Sequence, residues 1–212
     1  MKVAIVNDWL RSRGGEINVL FALADLFPGA PIYTSVYNAE KIPELKSKDV
    51  RPSWLQKMPF ANKIHKMIPM LRPHAFESMN LSEYKIVISS SHAEAKGVIT
   101  KPDTVHICYC HTPTRYYWSN YHEYRNQMEF GILNPIARIA MPIFIHKLRQ
   151  WDYLAAQRVD HFIANSKFVA ERIKKYYRRD STVIYPPVDT VSHYYDPSVV
   201  KEDYYFTMSR LI

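Results

Sequence analysis

Val3-Ala4-Ile5-Val6-Asn7-Asp8-Trp9-Leu10-Arg11-Ser12-Arg13-Gly14-Gly15-Glu16 is the stretch whose reading decides the fold. Val3 to Val6 are continuously apolar and mostly β-branched, as a strand buried on both faces requires. Asn7 and Asp8 end it. From Ile17 the period changes: Ile17, Leu20, Phe21, Ala24 and Phe27 recur every three or four residues and predict a helix. Arg13-Gly14-Gly15 lies between the two. Glycines there permit positive φ and close approach of a ligand to the backbone. The following helix aims its free N–H groups and positive dipole end at the same crevice, and Arg13 adds a full charge. An anionic group, phosphate above all, suits that chemistry. A tight strand-to-helix turn with a glycine cap explains the same residues without a ligand. The stretch is neither the G-x-G-x-x-G fingerprint nor a Walker A loop.

Outward from this unit the chain alternates strand and helix. Pro31–Val36, a short strand near Val50, Lys85–Ser91, Val105–Cys110, Asp160–Asn165 and Thr182–Tyr185 read as further strands. Ser166 caps a helix over Lys167–Tyr177. Ser91 and Glu94 have the spacing of a capping box. Residues 129–158 read as helix divided by Pro135 and Pro142. Together these predict an α/β, doubly wound, Rossmann-like parallel sheet. Ligands of such sheets bind outside the carboxyl ends of the strands. The candidates there are Asn7, Asp8, Gly14, Gly15, Ser90, His92, His111, Asn165 and Ser166.

Composition narrows the class. The chain has 212 residues, 47% of them hydrophobic, enough for one large core. Its net charge of +8 favours an acidic partner: nucleic acid, an anionic membrane face or a phosphorylated substrate. Lys and Arg are scattered rather than striped, and no nucleic-acid recognition fold is legible, so no nucleic acid is expected. Only two cysteines occur, Cys108 and Cys110, which fits a reducing cytoplasm better than a disulfide framework. Neither a signal peptide nor a membrane-spanning helix is expected.

Two stretches carry competing readings. Residues 54–79 are basic, methionine-rich and broken by prolines. They form either a covering helix or a surface that docks on anionic lipid through Lys63, Lys66 and Arg72. His106, Cys108 and Cys110 share one strand face, yet three ligands along a strand spread too far for tetrahedral zinc. A buried strand whose cysteines act as small hydrophobes is the better reading, and no metal site is expected. His111-Thr112-Pro113 follows at the strand end. A loop histidine is ordinarily a surface residue, but this position is where a parallel sheet places function.

Four segments resemble family 4 retaining glycosyltransferases of the mannosyltransferase-like branch. Arg13-Gly14-Gly15-Glu16 through Val19-Leu20 resembles the family's RGGEKVL segment. Cys108-Tyr109-Cys110-His111-Thr112-Pro113-Thr114-Arg115-Tyr116 resembles its CYCHTPMRY, continued by Tyr121-His122-Glu123-Tyr124. Arg158-Val159-Asp160 through Asn165-Ser166 and Val169–Ile173 resembles a third segment, and Val183-Ile184-Tyr185-Pro186-Pro187-Val188-Asp189 the interdomain VIYPPVD. Asn7 stands where many relatives have His, and Ile17-Asn18 replaces the usual Lys.

The resemblance implies the GT-B fold, two Rossmann-like domains with the active site between them. Residues 1–188 would be the N-terminal acceptor-side domain, 189–203 a linker and 204–212 the first strand of the donor domain. It implies transfer of a hexose, mannose among the candidates, from a nucleotide sugar to a glycan or polyprenyl-diphosphate-linked acceptor with retention. The setting would be cell-surface polysaccharide or glycolipid synthesis, in the cytoplasm or at the inner membrane face. No cofactor or metal is implied, because helix N-termini and basic side chains neutralise the departing diphosphate. His111 would be catalytic. Gly14, Gly15 and Arg210 would bind donor phosphates, and Asp8, Arg13, Arg115 and Tyr116 the acceptor. The fragment alone is expected to be inactive, since the donor-binding residues follow Ile212. A basic nucleic-acid-binding or inactive partner domain is the alternative.

Overall fold

The computed structural model describes residues 2–61, 68–126, 134–190, 196–198, 200 and 202–205. Seven parallel strands form one sheet: β1 (Val3–Asn7), β2 (Ile32–Thr34), β3 (Val50–Pro52), β4 (Ile86–Ser91), β5 (Val105–Cys110), β6 (His161–Ala164) and β7 (Thr182–Val183). Their order is β3-β2-β1-β4-β5-β6-β7. The helices are α1 (Gly15–Leu26), α2 (Leu71–Glu77), α3 (Tyr121–Asn126), α4 (Asn134–Gln157) and α5 (Lys167–Tyr177), with 3₁₀ turns at Pro43–Leu45, Trp54–Lys57 and Ala95–Gly97. The doubly wound parallel sheet expected from the alternating pattern is therefore the observed fold.

The unbroken apolar run of β1 is explained by cover on both faces. Ile5 packs with Leu10, Ile17, Leu20, Ala24 and Ile32 under α1. Ala4 and Val6 point the other way, into Phe76, Leu81, Tyr84, Val87 and Val98. A further cluster joins Cys108, Cys110, Phe162 and Ala164 to Ala156 of α4 and Val169, Ile173 and Tyr177 of α5.

Order reverses at one place. The chain runs from β1 outward to β2 and β3, then returns to lay β4 on the other side of β1. In sheets of this kind the ligand crevice lies beyond the carboxyl ends of the strands at such a switch point, here β1 and β4.

Local expectations fared unequally. Ser166 caps α5, its hydroxyl accepting from Val169 N–H at 3.2 Å. The capping box at Ser91 does not form, because Glu94 is fully buried in an ion pair with Arg72. Pro135 and Pro142 do not divide the helix over their segment. Pro135 lies in the first turn of α4, where no N–H is needed, and Pro142 is carried inside a helix of 24 residues. Ile145, Leu148, Ala155 and Ala156 bury one face of that helix, and such packing outweighs the lost hydrogen bond. Of the expected donor-domain strand at 204–212, Tyr204 and Tyr205 are in no strand, and 206–212, Arg210 included, lie outside the described residues, as do Lys63 and Lys66.

Candidate functional site

Asp8 follows β1 and is fully buried. Its Oδ2 accepts the backbone N–H of His92 at 2.6 Å and of Ala93 at 2.9 Å, and Oδ1 accepts that of Ala95 at 2.7 Å. Ser91 Oγ donates to Oδ1 at 3.4 Å. The carboxylate thus replaces, for the turn after β4, the partners a longer helix would supply. This corrects the expectation that Asp8 binds an acceptor: nothing from solvent reaches it. It also fixes a side chain that does face the crevice, since His92 Nδ1 lies 3.1 Å from Asp8 Oδ2.

His111 stands at the end of β5, its backbone N–H bonded to Ser91 O at 2.9 Å. Its Nε2 is 2.9 Å from Ser90 Oγ. The His92 and His111 ring centres are 6.3 Å apart. Trp9 meets His92 edge-on at 4.6 Å, and Tyr109 meets His111 at 5.3 Å. Trp9 was not among the strand-end candidates, although its place directly after Asp8 was the available signal. Burial lowers His111 to about 4, helped by His92 and opposed by Asp8, so its imidazole is neutral at pH 7.

His106 is also lowered to about 4, mainly by burial, with Asp160 opposing and Arg158 assisting. It lies beneath the site, its Nε2 2.8 Å from Ser89 Oγ. Among the described residues no group of three or more His, Cys, Asp or Glu side chains is arranged to hold a metal ion.

These two histidines predict a pH dependence of stability. The unfolded chain takes up protons near pH 6.5, whereas the folded chain resists them until about 4. Stability is therefore complete above pH 6.5 and falls as the pH drops toward 4. Between pH 7 and 5 the loss should be about 1–2 kcal/mol per histidine. Urea unfolding at the two pH values measures it, and His106→Gln should remove about half of the slope. A midpoint independent of pH over that range would contradict both assignments.

Gly14 and Gly15 open α1. Gly14 is the helix N-cap with φ −144° and ψ 170°, ordinary extended backbone, so the expected positive φ is not used here. A Cβ on Gly15 would meet nothing within 4 Å. The fold therefore needs glycine at 15 neither for space nor for an unusual φ. Gly14 makes no side-chain cap. The Glu16 carboxylate folds back over Gly14, into the space a Cβ there would take. An anion entering here must displace it. Arg13, Gly14, Gly15, Asn18 and Phe21 line an open groove of about 810 Å³ with Pro187, Val188 and Asp189 on its other side. Arg13 is an exposed side chain paired with Glu44 at 3.1 Å.

Arg72 is not a membrane-facing residue. Its side chain is buried against Glu94 at 3.1 Å and lies over the rings of Trp9 and Tyr116. The Tyr116 hydroxyl accepts from Arg72 at 3.1 Å and donates to Glu94 at 3.0 Å. That hydroxyl is thus committed internally rather than offered to an acceptor. Arg115 is exposed in the loop after β5.

Residues 8–192 match the family described as Glycosyltransferase Family 4. The chain belongs to that family. Its fold is similar to the crystal structure of Anabaena Alr3699/HepE in complex with UDP, with a TM-score of 0.55 and 15% sequence identity. The similarity covers 93% of this chain and 47% of that one, so this chain spans about half the length of that structure. That extent agrees with one Rossmann-like half of a GT-B glycosyltransferase. No curated protein matches the sequence. Among the described residues no helix is long and apolar enough to cross a membrane.

Proposed function

We propose that this chain is the acceptor-side half of a retaining glycosyltransferase that moves a hexose from a nucleotide sugar to a glycan or polyprenyl-diphosphate-linked acceptor. The membership of residues 8–192 in Glycosyltransferase Family 4 carries the reading. The crevice at the β1/β4 switch point supports it, with neutral His111 at its wall. The glycine-lined start of α1, once the Glu16 side chain swings aside, supports a nearby diphosphate, as does the UDP in the structure from Anabaena. Mannose is one candidate hexose, on the sequence resemblance. By the same resemblance the reaction uses no metal, and Arg210 on the donor side completes the phosphate site. Arg13 and Arg115 are the exposed cations left to meet an acceptor.

The test uses the enzyme with its downstream half present, UDP-glucose and GDP-mannose as donors, and a polyprenyl-diphosphate-linked sugar as acceptor. Transfer with retained anomeric configuration, unaffected by EDTA, is the expected result. His111→Ala should lower kcat by about a hundredfold, the effect of losing one positioned polar group worth on the order of 3 kcal/mol. Its melting temperature should change little. No transfer from any nucleotide sugar would overturn the reading, and normal kinetics in His111→Ala would remove that residue from it.

An anionic membrane surface remains part of the proposal through Lys63 and Lys66 alone. Replacing both by Glu should abolish binding to anionic liposomes at low salt. Unchanged flotation with the liposomes would exclude the contact.

A further inference from the structure

The crevice at the switch point contains two imidazoles anchored on one side only. His92 Nδ1 lies beside Asp8 Oδ2, 3.1 Å away. His111 is held through Nε2 by Ser90 Oγ at 2.9 Å. In each ring the other nitrogen has no hydrogen-bond partner among the described residues, and neither is a buried atom. Trp9 packs edge-on against the first ring and Tyr109 against the second, which limits their rotation.

The Asp8 carboxylate decides which nitrogen of His92 is free. Already accepting three backbone N–H groups, it is an acceptor toward the ring as well. With Nδ1 beside the carboxylate, Nε2 is the ring nitrogen left for a ligand in the crevice. A ring nitrogen there can exchange a hydrogen bond with a sugar hydroxyl, which both donates and accepts. The His111 ring, 6.3 Å away between centres, lies within the span of one hexose.

We propose that His92 binds a sugar hydroxyl in the transfer site through Nε2, with Asp8 as the residue that positions it. The proposal rests on the glycosyl-transfer reading above. The hydroxyl belongs either to the donor hexose or to the acceptor sugar, and both present the same O–H to the ring.

Two substitutions separate this role from a structural one. In His92→Asn the amide nitrogen takes the place of Nδ1, which keeps the Asp8 contact and removes the crevice-facing nitrogen. In His92→Gln the amide reaches the place of Nε2. With the downstream half present and the donors and acceptor named above, His92→Asn should keep the wild-type melting temperature. It should lose about tenfold or more in kcat/KM, as loss of a substrate hydrogen bond predicts. His92→Gln should recover part of the loss. A donor hydroxyl is indicated if calorimetry shows weaker binding of UDP-glucose or GDP-mannose but unchanged binding of UDP and GDP. An acceptor hydroxyl is indicated if donor binding is unchanged and the acceptor KM rises.

Wild-type kinetics in His92→Asn, or an equal loss for the bare nucleotides, would overturn the role of His92 and leave the glycosyl-transfer reading standing. No transfer by the wild-type enzyme would overturn both. Should the variants not fold, long-range ¹H–¹⁵N spectra of the wild-type protein still decide. A His92 Nε2 signal that moves when sugar-bearing ligand but not bare nucleotide is added is the expected result. A signal that moves for neither, or for both alike, overturns the proposal.

Discussion

Asp152→Ala should destabilise the protein by about 3–5 kcal/mol, enough to unfold much of it at 37 °C. Asp152 of α4 is fully buried and accepts four donors. These are Lys96 Nζ, Thr114 Oγ1 at 2.8 Å, Trp118 Nε1 at 2.7 Å and Tyr177 OH at 2.8 Å. The donors come from the turn after β4, the loop after β5 and the end of α5. One carboxylate therefore fastens three segments to α4. Burial works against the Lys96 charge, but Asp152 outweighs it and holds the ammonium above its ordinary range. Deleting the carboxylate would strand that charge in the interior. The double replacement Lys96→Met with Asp152→Leu should cost less, because no charge remains unpaired, the rest of the loss being the Thr114, Trp118 and Tyr177 donors left without an acceptor. Urea titration by circular dichroism compares the two. A loss below about 1 kcal/mol for Asp152→Ala would refute this account of the network.

Asp8→Ala is the second large effect, about 3–4 kcal/mol, because three buried backbone N–H groups lose their acceptor together. The damage should be local first. Hydrogen exchange at His92, Ala93 and Ala95 should accelerate well before exchange in β1. Asp8→Asn should fall between wild type and Ala, since one oxygen remains but the amide opposes a donor. Unchanged protection of those three amides would contradict the role assigned to Asp8.

The sheet was legible in the sequence because its signals are local. Each strand is a short apolar run with its own stops, and the period changes at Ile17 and after Ser166 mark helices without help from distant residues. The carboxyl-edge group was legible for the same reason, as parallel strands bring their ends to one edge. What failed depends on partners far along the chain. Arg72 reads as a surface cation until Glu94 and Tyr116 are brought against it. Glu94 reads as a capping residue until that same pair buries it. Asp8 reads as a strand-end residue open to a ligand, because a carboxylate bound by backbone N–H groups has no side-chain signature. Pro142 misled through propensity, which tertiary packing overrode.

The seam between β1 and β4 also sets an order of events in synthesis. Asp8 and His92 are 84 positions apart, whereas β1, β2 and β3 all lie within the first quarter of the chain. The early strands can pair as soon as they leave the ribosome. The other side of β1, with Ala4, Ile5 and Val6 in its row, then waits for β4 with its backbone groups unpaired. At ordinary elongation rates the wait is a few seconds. Throughout it the nascent chain carries an open edge of the central strand, and on a crowded polysome the nearest competitor for that edge is the same strand of the neighbouring copy.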